Sequence, residues 1–288
     1  MSQLSRRDFL GQSAVAVGAL AASTQLAAAA RNERNLKSGV DQVTLGRTGL
    51  KLSLIGMGTG SNGVRHSSNQ VKLGHEKFIG LVRYAFERGI TYFDTADQYG
   101  SHIYLRDAFK GLPRHQLFIQ SKTRATTAEM AKADIQRLRE ELGVDYLDTL
   151  LMHCMVKSSW PSDFRPVMDT LSWAKQKGYV RAIGVSCHGL PPLQAAVHCD
   201  WIDVDLARIN PIGAIMDADP ATVVGVLKEM KTAGKAVVGM KILGQGALRT
   251  RQDEAIKYAL SLGILDAFTI GAESKPEQED LIRRIAAA

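Results

Sequence analysis

Cysteine is scarce in this sequence. Its 288 residues include three, Cys154, Cys187 and Cys199, and no two of them stand in a Cys-x-x-Cys spacing. An odd number of cysteines cannot pair completely, so a disulfide framework does not organise the fold. Each cysteine stands beside a histidine. Neighbouring residues at the end of a strand point to opposite sides, so each pair offers at most one ligand to a common point. We therefore expect no metal site.

Runs of basic residues are also missing. The net charge is +7, but lysine and arginine are spread among acidic residues, and aromatic residues make up only 6% of the chain. Nucleic-acid-binding proteins concentrate their basic residues on one face. The sequence therefore favours solvated helix faces and excludes a nucleic-acid interface. The hydrophobic fraction of 45% is that of a soluble globular protein with a large core.

No apolar run is long enough for a stable membrane span. The best candidate, residues 13–26, is interrupted by polar residues and is shorter than the roughly 20 residues that a spanning helix needs. It follows the pair Arg6 and Arg7 and precedes an alanine run at 27–30. This arrangement resembles a twin-arginine export signal. The resemblance implies that residues 1–30 are a signal peptide read by the twin-arginine export machinery, that residues 31–41 are a linker, and that the protein is periplasmic or otherwise extracytoplasmic.

Short apolar runs alternate with amphipathic segments through the rest of the chain. Repetition of a strand followed by a helix predicts parallel strands joined by helical crossovers. Eight such units in about 250 residues predict a (β/α)8 TIM barrel over residues 42–288. The predicted strands lie at 54–58, 91–94, 117–121, 149–153, 182–186, 206–210, 236–241 and 267–270. The predicted helices lie at 77–88, 103–110, 127–142, 166–177, 191–198, 221–233, 253–262 and 276–285.

The positions of glycines support this architecture. Residues 43–45 and 50–53 flank a glycine turn, which predicts a short β-hairpin that could plug one end of the barrel. An open doubly wound sheet is the alternative, but the segment 58–61 after the first strand lacks the third glycine of the dinucleotide-binding fingerprint. Five predicted helices are followed by a glycine where a left-handed C-cap is expected. These are Gly89, Gly143, Gly178, Gly234 and Gly263.

Four polar side chains, Asp94, Tyr99, Lys122 and His153, lie at or near the ends of three successive predicted strands. Neighbouring strands are about 4.8 Å apart and their carboxyl ends form the mouth of a barrel, so we expect these groups to converge there. A lysine ammonium lowers the pKa of a nearby tyrosine, which is otherwise near 10. Asp94 could aim Lys122, and His153 could donate a hydrogen bond to a carbonyl oxygen. Alternatively, Asp94 and Lys122 form a structural ion pair and His153 is a core residue.

At these positions the sequence resembles the aldo-keto reductase family. The resemblance rests on the stretches 93–100, 121–123 and 150–153, in the family's order and spacing, and extends loosely over residues 45–282. It implies hydride transfer from a nicotinamide cofactor to the aldehyde or ketone of a small carbonyl substrate, by a monomeric enzyme. Tyr99 would protonate the developing alkoxide, Asp94 and Lys122 would tune Tyr99, and His153 would orient the carbonyl.

The resemblance also assigns residues to the cofactor site. They are Gly58, Thr59, Ser186, Asn210, Met240, Lys241, Leu243, Gly271, Ser274 and Gln278. Three positions depart from the family's pattern. Cys187 replaces an asparagine, Leu206 replaces a carboxamide-binding glutamine, and Met240 replaces an aromatic ring that stacks on the nicotinamide. Methionine can still pack on a flat ring through its soft sulfur.

The family pattern favours NADP(H) over NAD(H). Lys275 could meet a 2′-phosphate, whereas Glu273 would repel that group or accept a hydrogen bond from a ribose hydroxyl. Helix amides beyond Pro276 are available to an anion.

The substrate side is less specified. Trp160 either forms a wall of the pocket or packs its own loop down. The sequence stops at Ala288, directly after the last predicted helix, so we expect an open mouth. The alternative function is a non-catalytic or cofactor-sensing barrel that acts as a binding or regulatory protein, using the altered positions Cys187, Leu206 and Met240.

Overall fold

A computed structural model describes residues 38–288. The predicted signal peptide and most of the predicted linker lie outside the described residues. The strands, in chain order, are β1 (Gln42–Thr44), β2 (Lys51–Ser53), β3 (Ile55–Gly58), β4 (Tyr92–Asp94), β5 (Phe118–Thr123), β6 (Leu147–Met155), β7 (Val180–Cys187), β8 (Val204–Arg208), β9 (Ala236–Met240) and β10 (Ala267–Ile270). Strands β3 to β10 pair in parallel and close into a barrel. The predicted TIM-barrel fold is confirmed.

The helices surround this barrel. They are α1 (Asn69–Lys72), α2 (His75–Glu87), α3 (His102–Phe109), α4 (Ala128–Leu142), α5 (Trp160–Asp163), α6 (Arg165–Gln176), α7 (Leu190–Val197), α8 (Pro220–Thr232), α9 (Gln252–Ser261) and α10 (Lys275–Ala287). All eight predicted helices are present, and the short helices α1 and α5 are additions. The five glycines expected at helix ends have left-handed backbones. Across residues 38–288, no helix has both the length and the apolar character that a membrane crossing requires.

The predicted hairpin is formed by β1 and β2, which pair antiparallel. Its turn lies against the first residue of β9, because a Cβ at Gly46 would be 2.8 Å from the Cα of Ala236. Leu45 and Leu52, which belong to the hairpin, are fully buried. The hairpin therefore closes the amino end of the barrel and leaves the opposite end to the loops that follow the strands.

A polar ladder crosses the interior of the barrel below the mouth. Gln120 donates hydrogen bonds to the hydroxyl of Tyr92 and to Asp94 Oδ1, both at 2.8 Å, and accepts one from Thr149 at 3.0 Å. Gly56 makes room for this ladder, since a Cβ there would lie 2.2 Å from the ring of Tyr92. The ladder connects strands β4, β5 and β6 and supports Asp94 from below.

Strand β6 does not end at His153, as the sequence pattern predicts. It continues to Met155 through a bulge, where the pairing with β7 shifts between Met152 and Met155. Cys154 has a left-handed backbone in this bulge, with φ of 67°, and its amide donates to the hydroxyl of Ser186 at 3.0 Å. Bulges redirect side chains at the rims of barrels. Here the bulge includes His153, between the two paired residues Met152 and Met155.

Asp205, in the middle of β8, is fully buried, and neither of its carboxylate oxygens has a hydrogen-bond partner among residues 38–288. Burial, with a smaller contribution from the charge of Asp217, raises the pKa of Asp205 to about 8. The folded protein therefore holds a proton that the unfolded chain releases near pH 4. Because the native state binds this extra proton between those values, the contribution of Asp205 to the free energy of unfolding falls as the pH rises from about 4 to about 8.

Replacement of Asp205 by asparagine should remove this pH dependence. Between about pH 4 and 8, we expect the free energy of unfolding to decline less in Asp205→Asn than in the wild type. The two changes should differ by at least about 1 kcal/mol. Urea unfolding at a series of pH values measures the free energy of unfolding of both proteins. The control is Asp145→Asn, which neutralises an exposed carboxylate. Parallel pH curves for Asp205→Asn and the wild type would contradict this assignment.

Candidate active site

The four predicted catalytic groups converge at the mouth of the barrel. Lys122 on β5 donates to Asp94 Oδ1 on β4 at 2.6 Å and to the carbonyl oxygen of Thr95 at 2.8 Å. Its side chain is only 1% exposed. Removing one partner from a buried ion pair leaves the other charge uncompensated, so the two groups depend on each other.

Tyr99 lies directly above this ion pair. It ends a turn of 3-10 helix, Asp97–Tyr99, and the Nζ of Lys122 is 4.9 Å from the centre of its ring. The loop after β3 covers the ring. A Cβ at Gly60 would approach the ring to 2.2 Å, and a Cβ at Gly63 would approach it to 2.4 Å. Gly100 follows with a left-handed φ of 70°, at a point where a Cβ would meet the carbonyl oxygen of His66 at 2.1 Å. Three glycines therefore shape the space that holds Tyr99.

The pKa of Tyr99 moves in the direction opposite to our expectation. Burial raises it above its ordinary value, and Lys122 lowers it by less than burial raises it. Burial would lower the pKa of Lys122, but Asp94 and the neighbouring phenol outweigh burial, so its pKa is raised. At neutral pH the site therefore contains a phenol that keeps its proton beside an ammonium that keeps its charge.

His153 faces Tyr99 from β6. The two ring centres are 6.0 Å apart and the rings are nearly perpendicular. Burial, followed by the charge of Lys122, lowers the pKa of His153 to about 2. The imidazole is therefore neutral, and its buried Nδ1 has no partner among the described residues. A neutral imidazole carries one N–H donor, which is what orienting a carbonyl requires.

Two neighbours of this site, His188 and Arg124, did not follow from the sequence patterns. His188 comes directly after β7, with its ring centre 6.4 Å from that of His153. Burial and the charges of Arg208 and Lys241 lower the pKa of His188 to about 4. Arg124 follows β5 and adds to the same positive field. Position directly after a strand was the signal that could have identified these residues. Within residues 38–288 no group of histidine, cysteine and acidic side chains could hold a metal ion.

Four of the residues assigned to the cofactor already contact other groups of the protein. Thr59 donates its hydroxyl to the carbonyl oxygen of Asp94 at 2.9 Å. Ser186 accepts from the amide of Cys154, and Gly58 packs beside the hydroxyl of Thr269. The side chain of Asn210 makes four hydrogen bonds within and beside its loop. Thr59 and Asn210 thus build the rim, and their contact with a cofactor stays a prediction.

The end of β9 is more open. Met240 and Leu243 are half-buried, as is Lys241, which has a left-handed backbone and no carboxylate partner among the described residues. Lys241 donates to Gln245 at 3.1 Å, and Gln245 donates to Asn62 at 2.8 Å. These bonds connect the loop after β9 with the loop after β3. Leu206, the altered position on β8, is fully buried.

The loop after β10 carries the last of the residues assigned to the cofactor. Ser274 caps α10 by accepting from the amide of Glu277. Gly271 cannot carry a side chain, because its Cβ would lie 2.2 Å from the hydroxyl of Ser61. Gln278 is fully buried, and both polar atoms of its amide lack partners within residues 38–288. An unsatisfied buried amide at a helix start is suited to a polar ligand.

The remaining side chains that the sequence suggested for binding cofactor or substrate contact other protein groups. Glu273 accepts a hydrogen bond from Asn69 at 2.7 Å. Lys275 lies over the ring of Tyr84 at 5.5 Å. Trp160 is fully buried and donates to the carbonyl oxygen of Pro192 at 3.2 Å. Of the two interpretations of Trp160, the one in which it packs its loop down therefore holds.

A closed (β/α)8 barrel with a tyrosine, lysine, aspartate and histidine at its mouth defines a class of barrel whose site is suited to acid–base chemistry on a carbonyl. The model of the aldo/keto reductase family matches residues 54–260. The chain belongs to this family.

Individual relatives are more distant. L-galactose dehydrogenase of Arabidopsis thaliana is 28% identical over 222 residues, which are 71% of this chain and 66% of that protein. An NADPH-dependent codeinone reductase of Papaver somniferum is 30% identical over 184 residues, 55% of this chain and 54% of that protein. The matches thus span between about half and two thirds of these relatives. An aldo-keto reductase from Bacillus halodurans, solved in its holo form, shares the fold, with a TM-score of 0.69, 18% identity and coverage of 86% of this chain and 91% of that chain.

The fit of Tyr99 beneath the loop after β3 can be tested with one methyl group. In Gly60→Ala the new Cβ would lie 2.2 Å from the ring, so the ring must move. Misplacement of a reacting group by about 1 Å can lower a rate by roughly 100-fold, and we expect carbonyl-reducing kcat to fall at least tenfold.

The matched control is Gly80→Ala within α2, where nothing lies within 4 Å of the new Cβ. That variant should keep kcat and gain about 0.5–1 kcal/mol in the free energy of unfolding. Full activity of Gly60→Ala would show that Tyr99 tolerates displacement.

Proposed function

We propose that the protein is a monomeric NAD(P)H-dependent oxidoreductase that reduces the aldehyde or ketone group of small carbonyl compounds. The observation that carries this proposal is the arrangement of Tyr99 above the buried pair of Lys122 and Asp94, with the neutral ring of His153 facing it. Each group is in the protonation state that carbonyl reduction needs. Tyr99 has a proton to give, Lys122 has a charge to stabilise the phenolate that remains, and His153 has an N–H to donate.

The residues divide the reaction between them. His153 orients the carbonyl oxygen by hydrogen bonding, which also polarises the C=O bond. A nicotinamide cofactor, when bound, supplies the hydride to the carbonyl carbon. As the bonding pair shifts to oxygen, Tyr99 passes its phenolic proton to that oxygen, so the product is a neutral alcohol. The ammonium of Lys122 then lies next to the phenolate and is itself held by Asp94.

The residues assigned to the cofactor fit such a group. Gln278 offers a buried amide with no partner among the described residues, and Lys241 supplies a half-buried cation suited to a diphosphate. Met240 offers a flexible apolar surface to the nicotinamide ring. We infer a preference for NADP(H). It is supported by the NADPH-dependent relative and by the hydrogen bond from Asn69 that occupies Glu273.

Removal of one oxygen atom tests the role of Tyr99. We expect Tyr99→Phe to lose at least about 100-fold in kcat, since general acid catalysis contributes roughly 100- to 10,000-fold. Its affinity for NADPH, followed by protein fluorescence, should stay within about twofold of the wild type, and NADH should bind more weakly to both proteins. Tyr104→Phe, on α3, is the control and should retain activity.

The possible outcomes separate the alternatives. Turnover by Tyr99→Phe at the wild-type rate would remove Tyr99 from the mechanism. Saturable cofactor binding without turnover of any aldehyde by the wild type would favour a cofactor-sensing protein, and binding of neither cofactor would end the oxidoreductase proposal.

We also infer that the protein is exported. The support is the sequence alone, namely Arg6 and Arg7 before an apolar stretch and an alanine run. In a bacterium with a twin-arginine pathway, the full chain should appear in the periplasmic fraction with residues 1–30 removed. The double substitution R6K/R7K should retain it uncleaved in the cytoplasm. Export of the double variant at the wild-type level would contradict this proposal, and Lys72→Arg, an exposed change in α1, serves as the control.

A further inference from the structure

The turn that carries Tyr99 is hydrogen-bonded to a helix outside the barrel. Asp97 begins this turn, and its Oδ1 accepts a hydrogen bond from Arg137 Nη1 at 2.8 Å. Arg137 belongs to α4, the helix that follows β5. The contact therefore connects the acid of the proposed reaction to the crossover that leads away from the strand of Lys122.

Arg137 also binds two carboxylates of its own helix. Its Nη2 donates to Asp134 at 2.7 Å, and its Nη1 donates to Glu141 at 2.8 Å. We call these five side chains the Arg137 cluster: Arg137, Asp97, Asp134, Glu141 and His102, which contacts Glu141 at 2.8 Å. A carboxylate can only accept, so His102 donates to Glu141 through Nδ1.

The cluster reaches β5 on both sides of Lys122. Nε2 of His102 lies 3.0 Å from the hydroxyl of Ser121, and the hydroxyl of Thr123 donates to Asp134 at 2.5 Å. Side chains alternate along a strand, so Ser121 and Thr123 face the helices while Lys122 points into the mouth. The cluster thus contacts the helix-facing side of β5, the strand of Lys122, and also the turn that carries Tyr99.

We propose that Arg137 is a positioning residue that sets the separation between the hydroxyl of Tyr99 and the ammonium of Lys122. This inference rests on the proposed function, because that separation determines how well the ammonium stabilises the phenolate. The acid and its activator lie on different chain segments, after β4 and within β5. The Arg137 cluster is the polar connection between those segments on the outside of the barrel.

Charge explains why the guanidinium is needed. Three carboxylates surround one cation, and loss of the cation would leave Asp97 facing two like charges and push the turn outward. Glu141 is already kept ionised, since its pKa is lowered to about 2 by the bond from His102 and by Arg137. The side chain of Arg137 is 40% exposed and that of Asp97 21% exposed. Ion pairs this exposed add little to stability, so the effect should appear in catalysis.

The test replaces Arg137 by methionine. We expect kcat of Arg137→Met to fall roughly tenfold or more, with the KM for the cofactor within about twofold of the wild type. The alkaline limb of the kcat–pH profile should move to higher pH. The pKa of Tyr99 rises when the ammonium is farther away, and the ring is still covered at Gly60 and Gly63. Arg137→Lys keeps the charge but not the fork of donors and should recover part of kcat.

Arg139→Met is the matched control. Arg139 is on the same helix but stacks 4.0 Å from the ring centre of Tyr179, away from the cluster. The Arg139→Met substitution should change neither kcat nor the pH profile of kcat. Asp97→Ala removes the same contact and should also lower kcat, but by less than Arg137→Met, because no like charges then repel the turn. The double variant should be no slower than Arg137→Met.

The results distinguish this inference from the proposed function. If the wild type reduces carbonyls but Arg137→Met has the pH profile of Arg139→Met, the positioning role is wrong and the oxidoreductase proposal stands. Titration of Tyr99 by phenolate absorbance, with Tyr99→Phe subtracted, needs no turnover. Equal phenol pKa values in the wild type and Arg137→Met would also overturn the inference.

Discussion

A lysine ammonium buried at the mouth of the barrel is the interaction on which the rest of the site depends. Lys122 is 1% exposed, and burial by itself favours loss of its charge. Asp94 Oδ1 at 2.6 Å and the carbonyl oxygen of Thr95 at 2.8 Å keep it protonated. Asp94 is held in turn by Gln120, which is bonded to Thr149 inside the barrel. The charge is thus anchored to the interior of the fold.

This fixed charge decides the protonation of its neighbours. The ammonium helps to keep His153 neutral, and it restrains the rise in the pKa of Tyr99 that burial causes. Two proton donors of different kinds therefore lie next to each other, with ring centres 6.0 Å apart. A substrate carbonyl placed there would meet an imidazole N–H and a phenolic O–H while positive charge stands behind the phenol. Electrostatic preorganisation of this kind requires no rearrangement during the reaction.

The barrel brings these groups together, and the loops hold them at the required separation. Gly60, Gly63 and Gly100 let the backbone approach the ring of Tyr99 and the turn behind it to distances that any side chain would prevent. Outside the barrel, Arg137 joins that turn to the helix after β5 through Asp97. Tyr99 is therefore confined from above by backbone and from the side by charge.

The order of strands and helices, the glycine caps and the four polar residues of the site were predictable from the sequence. They follow from hydrophobic periodicity, from backbone conformations that favour glycine, and from a spacing shared with a family. These signals are local or are read directly along the chain. The placement of Asp94 next to Lys122 followed because neighbouring strand ends in a barrel must meet.

Only the tertiary structure decided the rest. The bulge at Cys154, the upward shift of the pKa of Tyr99, the internal bonds of Asn210, the unpaired carboxylate of Asp205 and the link from Arg137 to Asp97 have no signature in the sequence. Each depends on which atoms of distant segments come to lie within a few ångströms of one another. Periodicity specifies which face of an element is buried, whereas burial depth, hydrogen-bond partners and electric fields arise only when all the elements are packed.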